Sequence, residues 1–198
     1  MIRALYVGLQ APNRQDANVI HLPLIETIVR KDAYAHFSEL DKATHIIMTS
    51  KTTVSLSQEH LQNIKVPIIS VGKETTKSLK SFTDNILTAE NECQEGIIAL
   101  IEKLNINDPL FFWPHSALSR PNLVEYFEKK GYRFIEFSLY DTHFKAPEKV
   151  IDLETVDEIH FSSPSTVDAF YHFFGPPPKH CRLYTKGHVT QKQLIKKG

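Results

Sequence analysis

Hydroxyl-rich residues recur in this chain in matched settings. Ile46-Ile47-Met48-Thr49-Ser50-Lys51-Thr52-Thr53-Val54 is echoed by Ile159-His160-Phe161-Ser162-Ser163-Pro164-Ser165-Thr166-Val167. Each is a short apolar run, two hydroxyl residues, a basic residue or a proline, two more hydroxyls and a valine. A second echo pairs Ile69-Ser70-Val71-Gly72-Lys73-Glu74-Thr75 with Leu183-Tyr184-Thr185-Lys186-Gly187-His188-Val189-Thr190, and Ser50 precedes Gly72 by 22 residues where Ser163 precedes Gly187 by 24. The chemistry such corners offer is anion binding. A buried strand that turns tightly into a helix aims free backbone N–H groups and the positive end of the helix dipole at whatever lies before it. Ser50 and Ser163 suit the N-cap, and Pro164 suits the first helical position, where a missing N–H loses nothing. Lys51, Lys73, Arg120, Lys186 and His188 could add charge or could lie solvated on the surface. Any doubly wound sheet carries Ser and Thr caps at such places, so one corner says little; four at matched spacing point to a shared ligand.

The elements that must hold these corners alternate. Residues 3–8 and 19–24 read as strands joined by about nine polar residues, fewer than the dozen or so a parallel crossover with its own helix needs. That join is either a bare loop or a single helical turn. Residues 24–29 alternate as an exposed strand or linker would. From Asp32, read as the cap of a helix through Ala43, the rhythm is regular. Strands are predicted at 44–49, 67–71, 85–88, 109–113 and 132–139. Helices are predicted from Ser50 to about Gln62, over 74–82, over 92–104 with Ile97, Leu100, Ile101 and Leu104 facing the sheet, and from a Ser119 cap to Lys130, closed by Gly131. Five strands alternating with helices predict a parallel, doubly wound unit of flavodoxin type.

After a polar passage around Pro147 come a strand at 158–161, a helix at 165–174, a strand at 181–185 and a helix at 188–197. This second unit has too few strands alone and needs the two N-terminal ones to complete a sheet. The expected organisation is therefore α/β with two doubly wound, flavodoxin-like parallel-sheet lobes joined by a two-stranded linker. Residues 1–26 and 146–198 form a discontinuous, reduced terminal lobe, 31–138 an inserted lobe, and 27–30 and 139–145 the crossovers.

The composition narrows the function. Charged residues make up 23% of the 198 and balance to zero, which gives nucleic acid or a membrane surface nothing to grip. The opening residues read as a strand, not a signal peptide, and no apolar run approaches the ~18 residues of a membrane span; a cytoplasmic protein is expected. Cys93 and Cys181 read as reduced thiols. The seven glycines never form G-x-G-x-x-G, Gly72-Lys73 is followed by Glu74 and not by Ser or Thr, and neither G-x-S-x-G nor H-E-x-x-H occurs. The ten histidines show no ligand spacing. A reaction without cofactor or metal, or plain binding, is what remains.

An ordered set of residues carries a resemblance. It comprises Thr49-Ser50 before Val54, Val71-Gly72-Lys73 with Thr75, and Phe112-Trp113-Pro114-His115-Ser116-Ala117-Leu118-Ser119-Arg120. It continues with Tyr140-Asp141-Thr142, Phe161-Ser162-Ser163-Pro164-Ser165-Thr166-Val167, and Gly187 with Thr190. The set resembles the uroporphyrinogen-III synthase family over nearly the whole chain. The resemblance implies two α/β lobes joined by a β-ladder, and cofactor-free closure of the linear tetrapyrrole hydroxymethylbilane, with inversion of its last pyrrole ring, in the cleft between lobes. It also implies a substrate held at Ser50, Lys51, Thr52, Gly72, Lys73, Thr75, Ser116, Ser163, Ser165, Gly187, His188 and Thr190.

Tyr140 matches the family's crossover tyrosine, a general acid or hydrogen-bond donor to the leaving hydroxyl; the plain alternative is a ring packed on the linker. Thr75 and Thr190 match cleft-facing threonines or are first-turn hydroxyls bonded to their own backbone. Ser163 and Ser165 either bind carboxylate or only cap. The chain departs from the family where Gly8-Leu9-Gln10 replaces Thr-Arg-Pro and where the family's last strand and helix would follow, so a pared-down terminal lobe is expected. A monomer is expected, with transient contact with the preceding pathway enzyme left open. The alternative functions are a non-catalytic tetrapyrrole-binding or regulatory protein on the same scaffold, and an unrelated two-lobe binder of anions or sugars.

Overall fold

The computed structural model describes residues 2–12 and 18–198. The join between the first two strands falls partly outside the described residues. The chain divides into two compact units, Met1–Thr27 with Thr142–Gly198, and Ile28–Asp141.

In the second unit the strands are β4 (His45–Met48), β5 (Ile68–Ser70), β6 (Ile86–Thr88), β7 (Leu110–Ser116) and β8 (Arg133–Phe144), which runs on past the unit's end. They are parallel and ordered β8-β7-β4-β5-β6, with β3 (Ile25–Val29) beside β8 at the edge. Counted within the unit the order is 3-2-1-4-5. A flavodoxin order would be 2-1-3-4-5, and both reverse direction at a switch point, here between β4 and β7.

Short all-apolar runs make these strands because both faces are covered. Alternate residues enter two cores. Ile46, Met48, Ile68 and Phe112 pack with α1 (Lys51–Ser57), α2 (Lys73–Leu79) and the 3-10 helix Ala33–Lys42, whereas Ile47, Ile69, Phe111 and Trp113 pack with α3 (Gln94–Leu104) and α4 (Asn122–Lys130).

Several boundaries differ from the sequence reading. Residues 33–42 form a 3-10 helix, and Asp32 before it sits at φ 63° and makes no side-chain cap bond. A left-handed cap residue starts the chain in a tighter turn, so Asp32 works through its backbone. Helix α1 stops at Ser57, not near Gln62. Helix α4 begins at Asn122 after Pro121 instead of at a Ser119 cap; Ser119 N–H donates to Ser116 O in a turn of its own. Gly131, at φ 67°, closes α4 as expected. On α3, Ile97 and Ile101 are buried but Leu104 is exposed, because the helix ends there and Asn105 turns left-handed. Strand β8, Arg133–Phe144, is longer than predicted, since it joins most of the strand expected at 132–139 to most of the crossover expected at 139–145.

In the first unit, β1 (Arg3–Val7), β2 (Asn18–Leu22), β9 (Glu158–Phe161) and β10 (Arg182–Thr185) form a parallel sheet ordered β10-β9-β1-β2. Leu5, Val7, Leu22, Ile159 and Phe161 form a core with Val167, Ala169 and Phe170 of α5 (Pro164–Phe174) and with Leu194 of α6 (Gly187–Lys197). The opposite face carries a cross-strand row, Tyr184, His160, Tyr6 and His21, with His160 stacked on Tyr184 at 4.6 Å.

Candidate functional site: strand-end corners

Because the strands of each unit are parallel, the corners after neighbouring strands share one edge of each sheet. In the first unit these are the corners after β9 and β10; in the second, those after β4 and β5, with Ser116 at the end of β7. Ligands of open α/β sheets bind at this carboxyl edge, beside the switch point.

In the second unit Ser50 is the N-cap of α1, and its hydroxyl accepts from Thr53 N–H at 3.0 Å. The same oxygen lies 2.8 Å from Thr53 Oγ1 and 3.2 Å from the Tyr140 hydroxyl. Tyr140 reaches it through a register shift. His115 faces Ser138, but Ser116 faces Tyr140, so Leu139 is the extra residue of a bulge. The bulge lets consecutive side chains, Leu139 and Tyr140, enter the same core, where Tyr140 is 5% exposed. Ala117 N–H donates to Tyr140 O at 2.9 Å and Ser116 Oγ accepts from Leu118 N–H at 3.2 Å, which pins the turn. Lys51 is exposed and Thr52 half-buried, both in the first turn of α1.

The Gly72 corner already holds a carboxylate. Glu92 Oε1 accepts from Lys73 N–H at 3.1 Å, and a Cβ on Gly72 would lie 2.5 Å from Glu92 Cγ. Ser70 Oγ braces the turn on Gly72 O at 3.1 Å, Lys73 is exposed and Thr75 is buried. Arg120 is already paired: it grips Glu95 with two bonds, at 2.6 and 2.8 Å, and Asn122 adds a third donor to that carboxylate.

In the first unit Ser163 caps α5 with Pro164 behind it. Ser163 N–H donates to Thr166 Oγ1 at 3.1 Å, and the Ser163 and Ser165 hydroxyls are 2.9 Å apart. Gly187 needs its glycine, since φ is 78°. His188 is exposed, and the buried Thr190 donates to Lys186 O at 3.0 Å, the plain reading of that threonine.

Gly8 and Ser162 belong to this edge too, although the sequence marks Gly8 only as a departure from the family and Ser162 only as part of the echoed run. A Cβ on Gly8 would lie 2.8 Å from Ser162 Oγ, and His21 Nε2–H donates to Gly8 O at 2.8 Å. Burial pushes the Tyr6 phenol up, while its hydrogen bond to Ser162 pulls the other way. The signal for Gly8 was its place after the first strand, where a close approach excludes a side chain. Thr53 and Glu92 were also missed. Among the described residues no group of three or more His, Cys, Asp or Glu could hold a metal ion, and Cys93 and Cys181 are free and buried. Two surface grooves, by Phe144 and Tyr171 and by Asn91 and Leu100, are lined by none of the corner residues.

The Glu95–Arg120 pair makes a checkable prediction. The hydrogen bond from Arg120 holds the Glu95 carboxyl down at about 2, from an ordinary 4.5. With side chains 51% and 39% exposed, the pair contributes no more than about 1 kcal/mol. A depressed folded pKa means the stabilisation is present above pH 4.5 and is lost as pH falls towards 2. Arg120→Met therefore lowers the urea midpoint slightly at neutral pH, and the difference from wild type closes at acid pH. A gap that persists unchanged at about pH 2 contradicts it.

Fold and corners define a two-unit, doubly wound α/β protein of the kind that takes ligands at the carboxyl ends of parallel strands. Residues 10–198 match the family model described as "Uroporphyrinogen-III synthase HemD". The chain belongs to the uroporphyrinogen-III synthase family, lyase-type cyclases of tetrapyrrole biosynthesis, and the resemblance read from its residues holds.

Among solved structures, uroporphyrinogen-III synthetase from Helicobacter pylori is similar with a TM-score of 0.64 and 17% identity, over 99% of this chain and 89% of that one. A mutant uroporphyrinogen III synthase from Thermus thermophilus has a TM-score of 0.61 at 14% identity, with 99% and 89% covered. The wild-type Thermus protein gives 0.56 at 14%, with 99% and 88% covered. At such identities the structures speak for the fold. No curated protein matches the chain. No helix among the described residues is long and apolar enough to cross a membrane.

Proposed function

We propose that the chain closes hydroxymethylbilane to uroporphyrinogen III, inverting the last pyrrole ring. Protonation of the terminal hydroxyl releases water and leaves an azafulvene cation. Attack on it by the substituted carbon of the last ring gives a spiro intermediate, and fragmentation and reclosure on the other side of that ring yield the inverted macrocycle. No external oxidant or reductant is needed. Spontaneous closure gives the uninverted isomer, so the protein's task is mainly to hold a flexible chain in one geometry. In this reading Tyr140 donates to the leaving hydroxyl. Ser50, Lys51, Thr52 and Ser116 in one unit hold carboxylates, as do Ser163, Ser165, Gly187 and His188 in the other; Gly72 and Lys73 take one only by displacing Glu92, and the buried Thr75 and Thr190 support the first turns of α2 and α6. The discontinuous lobes, 1–26 with 146–198 and 31–138, are part of the proposal.

The observation that carries it is the family match over residues 10–198. The placement of Tyr140 beside the Ser50 cap supports its role. We also infer a monomer working in the cytoplasm and meeting the preceding pathway enzyme transiently. The test is a coupled assay with hydroxymethylbilane, followed by oxidation and separation of the porphyrin isomers. Type III product forming faster than spontaneous closure is the expected result. Recovery of type I alone overturns the proposal, and tight tetrapyrrole binding alongside that result would point to the non-catalytic alternative.

A further inference from the structure

The hydroxyl chain ending at Tyr140 has a direction that donor counting can assign. Thr53 is fully buried, and the Ser50 hydroxyl, 2.8 Å away, is the side-chain partner of its Oγ1. A buried hydroxyl needs an acceptor for its proton, so the Thr53 O–H donates to Ser50 Oγ. That oxygen also accepts from Thr53 N–H. Both of its lone pairs are then used, and the Ser50 O–H is left to donate to the oxygen of Tyr140, 3.2 Å away. Tyr140 is 5% exposed where Thr53 is 0%, so of the two hydroxyls it is the phenol whose proton can be left for solvent or substrate.

The duplicated corner shows that this arrangement is not dictated by the turn. Thr166, the counterpart of Thr53, spends its hydroxyl on the backbone of its own cap, donating to Ser163 O at 2.7 Å and accepting from Ser163 N–H. Thr53 instead passes its proton to a side chain, and that side chain touches Tyr140.

We propose that Thr53 is a positioning residue: through Ser50 it orients the Tyr140 hydroxyl so that its proton faces the substrate and the oxygen left after proton transfer receives the Ser50 O–H. This rests on the reading of Tyr140 as the proton donor to the leaving hydroxyl. Without the Thr53 O–H, the Ser50 oxygen has a free lone pair and becomes an acceptor for the Tyr140 proton, which pulls that proton out of line.

Thr53→Val keeps the shape, the β-branch and the capping N–H while deleting the hydroxyl. It should lower kcat about tenfold, the worth of one oriented hydrogen bond, and leave KM within about twofold, as for an interaction made only in the transition state. Thr53→Ser should restore kcat. In a double-mutant cycle, Thr53→Val should have no further effect in a Tyr140→Phe background. If Tyr140→Phe lowers kcat while Thr53→Val does not, or if Thr53→Val costs as much with Phe at 140, the positioning role is wrong and the Tyr140 reading stands. If Tyr140→Phe leaves kcat unchanged, the Tyr140 reading itself is wrong, and this inference goes with it. Should Thr53→Val fold poorly, failure of Thr53→Ser to sustain wild-type kcat overturns the proposal.

Discussion

Tyr140→Phe lowers kcat by about a hundredfold or more, within the range expected of a general acid, and leaves KM little changed. The ring of Tyr140 is buried in the core that contains Phe137 and Leu139, and phenylalanine fills the same space. The fold therefore loses only a contact to a serine hydroxyl that still has Thr53 as partner. On the proposed reading the chemistry loses its proton donor. Departure of hydroxide from the bilane is far harder than departure of water, so the loss falls on the barrier and not on ground-state binding. A second readout follows from competition with the uncatalysed path. Once the enzyme is slow, closure in solution competes with it, and at equal enzyme concentration the variant gives a larger type I fraction than wild type, a fraction that shrinks as more enzyme is added. A ring that merely packs on the linker behaves in the opposite way: its Phe variant keeps kcat and isomer ratio, and that outcome removes Tyr140 from the mechanism.

What could be read from residues alone was local. The echo of residues 46–54 in residues 159–167 places two N-caps correctly because an apolar run, a cap and a first helical turn are neighbours in sequence. The corners at Ser50 and Ser163 follow directly. Features set by distant partners were hidden. Asp32 reads as a cap, but packing of Phe37 and Leu40 against the sheet draws residues 33–42 into a 3-10 turn behind a left-handed residue. Arg120 reads as a free cation until Glu95, 25 residues earlier, takes both of its arms. The Gly72 corner reads as vacant until Glu92, 19 residues on from Lys73, fills it. The bulge at His115 and Ser116 leaves no compositional mark at all, yet it decides that Tyr140, and not Leu139, faces Ser116. The order of strands is equally silent, since either doubly wound order alternates strand and helix.

The second large effect is on stability. Phe112 is fully buried on the central strand β7, and its ring lies 5.4 Å from those of Phe37 and Phe137. Phe112→Ala removes that contact on both sides and leaves a cavity that strands cannot close without breaking ladder bonds. The cost is about 3–5 kcal/mol, transfer and cavity together. Phe112→Leu refills most of the space and costs about 1.5 kcal/mol or less. Trp113 supplies a probe, because it is the sole tryptophan and is 1% exposed in the core on the other face of the same sheet. Its native emission is untouched by the substitution, and its exposure on unfolding reports the unit that holds Phe112. In urea the alanine variant's fluorescence transition moves far to lower concentration, with the leucine variant close to wild type. A loss under about 1 kcal/mol for alanine means the neighbours collapse into the gap, contrary to the stiffness a parallel sheet packed on both faces should have. Tyr140 shares this core, so its hydroxyl depends on the same packing. The leucine variant, assayed well below its unfolding transition, keeps wild-type kcat if the core serves Tyr140 only as a rigid floor.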